Sequence, residues 1–579
     1  MAENLVRSVL VANRGEIAWR LLRACRELGV RAIAVYSEAD RDAPWLEAAD
    51  EAHLLGPAPA AQSYLDGERV VEVARRAGAE AVHPGYGFLS ESADFAQAVA
   101  DAGLVWVGPP AAAITAMGDK LSARAAATAA GCPVVPGTME PTTDPRAVAD
   151  FAATAGFPIA IKAAYGGGGR GLKVVREPRE LEDALEGAQR EAIASFGRGE
   201  VYVERYLTRP RHIEIQVLAD THGHVLHLGE RDCSTQRRHQ KLIEEAPAPG
   251  LAPELRAQMG EAAIRVAREV GYVGAGTLEF LVEGGEFFFL EMNTRLQVEH
   301  PVTELVTGHD LAHWQLRIAS GQALDFEQAD VTLRGHAIEA RINAEHVAAS
   351  FAPSPGVIRR WRPPAGPGVR VDEGADTGWE IPGDYDSLVA KLIGFGATRD
   401  EARRKLARAC EEFVVEGVPT TLDFHRFALV HPDFVAGEVS TISVEREWDL
   451  SPIGSAAPAS SGAGPRTPSR SIVVEVAGKR LPVDVFEPEA EQRRRRRSTK
   501  STTVASGPGE LTAPMQGTIV KTAVSVGDPV SAGDVVAVLE AMKMENNISA
   551  DRDGVISALE VAAGSAVNVG DLVAVVSDG

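Results

Sequence analysis

Near the C-terminal end of the chain two segments repeat each other: VSAGDVVAV, Val530 to Val538, and VNVGDLVAV, Val567 to Val575. Each alternates apolar residues around a Gly-Asp turn, the pattern of short strands joined by tight turns. Two similar half-sheets predict a small all-β barrel with internal pseudo-symmetry. Between the copies lies Glu540-Ala541-Met542-Lys543-Met544-Glu545, which puts Lys543 where a hairpin tip would be exposed. A lone lysine there is ordinary surface; one set between two methionines and two repeats reads as an attachment point.

The stretch resembles the biotinyl domain of biotin-dependent carboxylases, whose Ala-Met-Lys-Met signature carries biotin on the lysine amine. Lipoyl domains share the barrel but usually place an acidic residue and an alanine around the lysine, so the methionines favour biotin on Lys543. Ala513-Pro514-Met515-Gln516-Gly517, running into GTIVKTAVSVGD, extends the resemblance from about Thr512 to the terminus. The barrel is expected over 511–579.

At 579 residues the chain is too long for one core, and ordinary domain sizes imply roughly three to five domains. Cys25, Cys132, Cys233 and Cys410 are scattered without metal-ligand spacing, which argues against a disulfide framework or zinc site and fits a reducing cytoplasm. MAENLVRSVLVANRGE has no cleavable secretory pattern, and no apolar run approaches the ~20 residues that cross a bilayer. A cytoplasmic protein without membrane association is expected. The formal net charge of −22 argues against nucleic acid or anionic membrane as partner. Anionic substrates would need locally positive pockets.

Residues 7–110 alternate strand and helix. RSVLVAN, RAIAVYS, AEAVHPG and LVWVGP read as strands, and EIAWRLLRACRELG sets Ile17, Leu21, Leu22, Cys25 and Leu28 on one helical face. This predicts an α/β, Rossmann-like domain over 1–117 with a parallel sheet. Asn13-Arg14-Gly15-Glu16 lacks the spaced glycines of a dinucleotide fingerprint, so NAD is not inferred. VANRGEIA and HPGYGFLSE together resemble the opening domain of biotin carboxylases.

Beyond Met117-Gly118-Asp119-Lys120, the strand IAIKAA, the run Tyr165-Gly166-Gly167-Gly168-Gly169-Arg170-Gly171 and the strand LKVV follow one another. Strand, glycines, strand is not a Walker A motif, which needs a following helix. It suits a lid whose backbone N–H groups can approach phosphates unhindered. A glycine run alone reads equally as a linker; Lys120, Lys162 and Arg170 add the cations a polyphosphate needs. The arrangement resembles the ATP-grasp fold over 118–330, with the lid at about 138–205. That resemblance implies ATP contacts from Lys120, Lys162, Gly168, Gly169, Arg170, Glu204, Leu207, His212, Gln236 and His239. RDCSTQRRHQKLIEEAPAPG would ordinarily be a solvated charge cluster; here the resemblance gives Lys241 a contact with bicarbonate and phosphate.

Glu279 ends the strand GAGTLEF, while Glu291 and Asn293 follow FFFL with one residue between them. Positions i and i+2 of a strand share a face, so the two can project towards a neighbouring strand carrying Glu279, and such hard oxygens suit Mg²⁺, or Mn²⁺, bridging phosphates. Read as the same strand continuing, Arg295, Gln297 and Glu299 also share a face and offer a fork donor, an amide and a carboxylate to one small planar ligand. EMNTRLQVEH resembles the biotin carboxylase site, implying that Arg295, Gln297 and the Val298 backbone hold bicarbonate and that Glu299 is its base. The same resemblance has Arg341 stabilise the biotin enolate, an oxyanion-type role; on its own the residue reads equally as a salt bridge to a neighbouring acid.

The C-terminal biotin carboxylase domain is expected over 331–447, with DSLVAKLI as a strand or helix start; Asp384 stands where the family commonly has an aromatic residue. SPIGSAAPASSGAGPRTPSR opens a flexible linker over 448–510 that holds a short β segment, SIVVEVAGKRLPVDVF, and the basic run Arg493 to Arg497, read as a solvated tether. About twenty such residues span roughly 25 Å r.m.s., enough to move a carrier between sites. The short spacing between the two halves resembles actinobacterial acetyl-/propionyl-CoA carboxylase α chains, a fused biotin carboxylase and biotin carboxyl carrier protein. The implied partners are a β carboxyltransferase subunit, biotin protein ligase and a second copy of the carboxylase domain. A split pyruvate carboxylase is the nearest competitor; an ATP-grasp ligase with a lipoyl carrier and a biotinylated scaffold with a vestigial ATP site are the readings from other classes.

Overall fold

Ser8–Val11 is buried at every position, as a central parallel strand requires. In the computed structural model it pairs in parallel with Arg31–Ser37 and Ala81–His83, and Glu51–Gly56 and Val105–Trp106 complete a five-stranded sheet. Helix Gly15–Glu27 leaves that strand through a turn with Gly15 at φ +67° and buries Ile17, Leu21, Leu22 and Cys25, the face its spacing predicts. The structure describes residues 5–138, 142–163, 173–196, 199–454, 470–476, 479–485, 509–513, 517–541, 544–567 and 570–577. They fall into two compact units, 1–448 and 449–579.

In the first unit an antiparallel sheet of eight strands carries the site. Its order is Glu286–Asn293, Gly274–Glu283, Arg211–Ala219, Val225–Arg237, Gln240–Ala246, His336–Asn343, Leu388–Gly396 and Val369–Glu373. DSLVAKLI is thus the start of a strand. Along Arg211–Ala219, Ile213, Ile215 and Val217 pack into a core with Met259, Ala263 and Val266 of helix Pro253–Glu269. The alternate residues His212, Glu214 and Gln216 are also buried, on the opposite face. Beside it, Lys173–Val175, Ile159–Ala163 and Val201–Arg205 form a small antiparallel sheet under helices Pro145–Ala155 and Leu181–Phe196, with a core of its own from Val148, Ile159, Ile161, Val175, Leu185 and Val203.

One strand is shorter than its sequence suggests. The strand through EMN ends at Asn293; residues 294–299 leave the sheet as a loop, and helix His300–Thr307 follows. Pro301 lies in the first helical turn, where a missing N–H has no intrahelical partner to lose. Period-two alternation therefore does not place Arg295, Gln297 and Glu299. The charged run Arg231 to Gly250 is not solvated either: it forms the inner hairpin Val225–Arg237 and Gln240–Ala246, with only its tip, Arg238 and His239, exposed.

In the second unit Arg470–Val476 and Lys479–Val485 pair as a hairpin. The two sequence repeats become equivalent halves of a barrel. Val535–Ala541 lies in a sheet with Met544–Ser549, Gly517–Thr522 and Ala566–Val567; Leu572–Ser577 lies in one with Glu510–Thr512, Gly554–Leu559 and Pro529–Val530. Val536 matches Val573 and Ala537 matches Ala574, all in one buried cluster. Met542 and Lys543, between the paired ends Ala541 and Met544, lie outside the described residues, as do Gly168, Gly169, Arg170 and the Arg493–Arg497 run. Among the described residues no helix is long and apolar enough to cross a membrane, and all four cysteines are buried and free.

Candidate active site

Sheet register sets four charged side chains in a row across neighbouring strands: Glu291 is opposite Glu279, Glu279 opposite Glu214, and Glu214 opposite Arg231. Adjacent carboxylates repel, and the row is held by cations. Arg231, fully buried, donates to Glu214 and also to Gln216 (2.7 Å), Thr303 (2.9 Å) and Thr277 (3.0 Å). The Lys241 ammonium donates to Glu214 (2.7 Å), Glu279 (2.8 Å) and Glu299 (2.7 Å).

Lys241 reaches this face because its hairpin contains two compensating bulges. Asp232 pairs with Glu245, Thr235 with Ile243 and Gln236 with Lys241, so each strand carries one extra residue. In an unbroken strand Lys241 and Glu244 would point to opposite faces. With Leu242 skipped in the pairing, Lys241 meets Glu299 and Glu244 accepts from Arg341, whose Nη2 donates to the other Glu299 oxygen at 2.9 Å.

The loop after Asn293 brings the remaining groups in. Asn293 Nδ2 and Gln297 Nε2 donate to Glu279 Oε1 at 2.9 and 3.2 Å, and Arg295 Nη2 donates to Asn293 Oδ1 at 2.9 Å. Arg295 Nη1 reaches Gln297 Oε1 at 3.3 Å, and its Nε lies 3.0 Å from Glu91. His212 Nε2 lies 2.9 Å from the second oxygen of Glu279.

Burial penalises every charge here, yet the partners decide the outcome. Glu299 and Glu279 are held well below the ordinary carboxylate range, because Lys241, with Arg341 for Glu299 and His212 for Glu279, outweighs desolvation. Lys241 is pushed above its usual value by the acids around it in spite of burial. Cys233 Sγ lies 3.8 Å from Glu299, and burial raises that thiol, leaving the carboxylates as the counter-ions of the lysine. Glu244 is raised to about 7 by burial, with Arg341 opposing and the Glu299 charge adding to it.

The expected residues divide between this cluster and its surroundings. Arg295, Gln297, Glu299, Lys241, Arg341, Glu279, Asn293 and His212 form one hydrogen-bonded group, and Glu291 stands beside Glu279. Gln236 is buried opposite Lys241, while His239 is at the exposed hairpin tip. Leu207 packs with Val135 and Phe288. In the small sheet Lys162 pairs with Glu204, and Lys120 begins helix Lys120–Ala129, its side chain lying outside the described set. Asp384 is exposed; the aromatic neighbour Tyr385 is buried instead, 4.3 Å from the Arg14 guanidinium to its ring. Glu214, Arg231, Glu244 and Glu91 were not singled out from sequence. A signal for Glu214 was present: His212, Glu214 and Gln216 make a polar face along an otherwise apolar strand.

Family profiles cover most of the chain: the biotin carboxylase N-terminal domain at 5–114, the carbamoyl-phosphate synthase L chain ATP-binding domain at 119–327, the biotin carboxylase C-terminal domain at 339–446, and the biotin-requiring enzyme domain at 509–576. The chain is 47% identical to the biotin-dependent acyl-coenzyme A carboxylase alpha3 subunit of Mycobacterium leprae over 95% of both chains. It is 51% identical to biotin carboxylase 1 of Bacillus subtilis, covering 76% of this chain and 98% of that one. Among solved structures, biotin carboxylase from Campylobacter jejuni in its β-γ-ATP complex superposes with a TM-score of 0.70 at 44% identity, over 76% of this chain and 99% of that chain. The bicarbonate-bound biotin carboxylase domain of a thermophilic 2-oxoglutarate carboxylase superposes at 0.73 and 43% identity, over 76% and 98%.

Proposed function

The chain belongs to the family of biotin-dependent acyl-CoA carboxylase α subunits, biotin carboxylase and biotinyl carrier in one polypeptide, and on that premise we propose how its residues divide the work. The reaction is the ATP-dependent carboxylation of biotin. Lys543 would hold biotin, whose ureido nitrogen would supply the acceptor for the carboxyl group.

Glu279, Glu291 and Asn293 would hold the divalent cation. Two facing acids and an amide oxygen are the hard-oxygen donors Mg²⁺ prefers, and Glu279 is ionised in place. Lys120, Lys162, Gly168, Gly169, Arg170, Glu204, Leu207, His212, Gln236 and His239 are assigned to ATP, and the small sheet with its glycine run to the lid that keeps water from the activated bicarbonate. Arg295, Gln297, the Val298 amide and Lys241 are assigned to bicarbonate, with Glu299 as its base.

The observation that carries this reading is that Lys241 and Arg341 each grip one oxygen of Glu299. So gripped, Glu299 is a weak base. An incoming anion competes for the same two cations, and as it takes them Glu299 becomes a better proton acceptor at the moment it is needed. Freed from Glu299, Arg341 offers positive charge to an oxygen that becomes negative during transfer, with Glu244 behind it as orienting partner.

A separate β carboxyltransferase subunit is inferred as the acceptor-side partner, with pairing through the carboxylase domain, biotin protein ligase acting on Lys543, and a cytoplasmic setting. Residues 1–117, 118–330, 331–447 and 511–579 are taken as the working domains, with 448–510 as tether.

The test supplies biotinylated chain with Mg-ATP and labelled bicarbonate and counts label retained on protein. Wild type retains label and Lys543→Arg does not; label on neither, with biotin confirmed on Lys543, would refute the assignment.

A further inference from the structure

The loop that carries the bicarbonate and base assignments hangs between a strand end at Asn293 and a helix start at His300, away from the sheet's own ladder. Its two peptide carbonyls flanking Val298 are nonetheless both taken. The Gln297 carbonyl accepts from His300 Nδ1 at 2.7 Å, and the Val298 carbonyl accepts from the Lys391 ammonium at 3.0 Å. Neither donor had been assigned a task in the reaction.

Both donors are built into the interior. Lys391, on the strand Leu388–Gly396, has no exposed surface, and its ammonium also lies 3.0 Å from Glu16 at the start of helix Gly15–Glu27 and 3.8 Å from Asp372. A buried ammonium is kept only where partners hold it, so the position of its nitrogen is determined by the N-terminal domain and the eight-stranded sheet together. His300 is fully buried, and burial together with the Lys391 charge holds its pKa well below the ordinary value, so the ring is neutral. A neutral ring that donates from Nδ1 has one proton, and it is spent on the Gln297 carbonyl.

We propose that Lys391 and His300 are positioning residues for bicarbonate, gripping the carbonyls on either side of Val298 and thereby fixing the peptide whose amide, and the turn whose carboxylate, face the substrate. The inference rests on the assignment of Gln297, Val298 and Glu299 to bicarbonate. Without the two grips the Gln297 carbonyl keeps only the long bond from the His300 amide at 3.4 Å and the Val298 carbonyl loses its ammonium donor, so the peptides around Val298 gain freedom to rotate and the Val298 N–H and Glu299 lose their common aim. Nucleotide contacts on the other elements are untouched by such a rotation. The effect therefore falls on bicarbonate and spares ATP.

The experiment measures bicarbonate-dependent ATP cleavage by the full biotinylated chain, titrating each substrate separately. Lys391→Met and His300→Leu should raise the bicarbonate KM at least about tenfold while the ATP KM stays within about twofold. His300→Asn, whose amide can supply the missing N–H, should recover most of the loss. If Lys391→Met leaves Glu16 unpaired and prevents folding, Lys391→Met with Glu16→Gln removes one charge of each sign and is judged by the same criterion. Bicarbonate KM values unchanged in folded variants, with only thermal stability lowered, would overturn the proposal. Glu299→Gln run alongside separates the two failures: retention of wild-type bicarbonate dependence there would mean that the bicarbonate assignment itself is wrong.

Discussion

Glu214 and Glu279 face each other directly on adjacent antiparallel strands, and the Lys241 ammonium bonds one oxygen of each. Two carboxylates so placed repel, which makes Lys241 a counter-ion of the sheet in addition to its proposed contact with bicarbonate. Lys241→Met should therefore do two things at once: abolish bicarbonate-dependent ATP cleavage and lower the stability of the larger unit by about 3–5 kcal/mol. Calorimetry and initial rates on one preparation would show both.

For Glu299, replacement by glutamine keeps the shape and removes the carboxylate proposed as the base. Glu299→Gln is expected to slow bicarbonate-dependent ATP cleavage by about 10² to 10⁴ with nucleotide affinity nearly unchanged. Equal turnover in the variant would refute the base assignment.

Glu304 gives a pH signature of stability. Burial opposes its charge, but Arg20 at 2.9 Å and Arg370 at 2.7 Å lower its pKa to about 2. A folded pKa below the unfolded one means that the stabilisation is complete above the unfolded value and is lost as pH falls towards the folded one. From the ordinary carboxylate value of 4.5 to about 2, the difference is worth about 3 kcal/mol. Glu304→Gln should be less stable than wild type at neutral pH, and urea titrations from about pH 6 down to about pH 3 should show the gap narrowing; a constant gap would contradict the assignment.

Gly374 lies where two parts of the larger unit touch. A Cβ there would meet the Glu16 amide nitrogen at 2.4 Å and the Gly15 carbonyl carbon at 2.7 Å, both backbone atoms. Gly374→Ala should cost about 1–3 kcal/mol through overpacking, read as a lowered unfolding midpoint of the larger unit.

The carrier has its own core, in which Ile519 is fully buried. Ile519→Ala is expected to cost the barrel about 2–5 kcal/mol, moving its calorimetric transition while that of the larger unit stays in place.

Much of this was readable in advance where local rules apply. Period-two alternation located the barrel strands, and the repeats Val530–Val538 and Val567–Val575 became matching halves. The parallel N-terminal sheet followed from its apolar runs. What escaped was produced by irregularity or by distance. Counting by twos from Glu244 sends Lys241 to the wrong face, since the bulge at Leu242 leaves no mark in residue type. Counting onward from Asn293 extends a strand that has already ended. Arg231 and Glu91 gain their meaning from neighbours far off in the chain, Arg231 from Thr303 and Glu91 from Arg295, and neither pairing has a periodicity to betray it.

The eight-stranded sheet passes without a break from Glu291 on its edge strand to Arg341 further along, through the pairing of Gln240–Ala246 with His336–Asn343. Cutting the polypeptide near residue 330 would strip Gln240–Ala246 of one neighbour and leave a raw row of N–H and C=O groups along it. Such an edge recruits other chains, so the two fragments are expected to precipitate when made separately and to yield soluble protein only when made together.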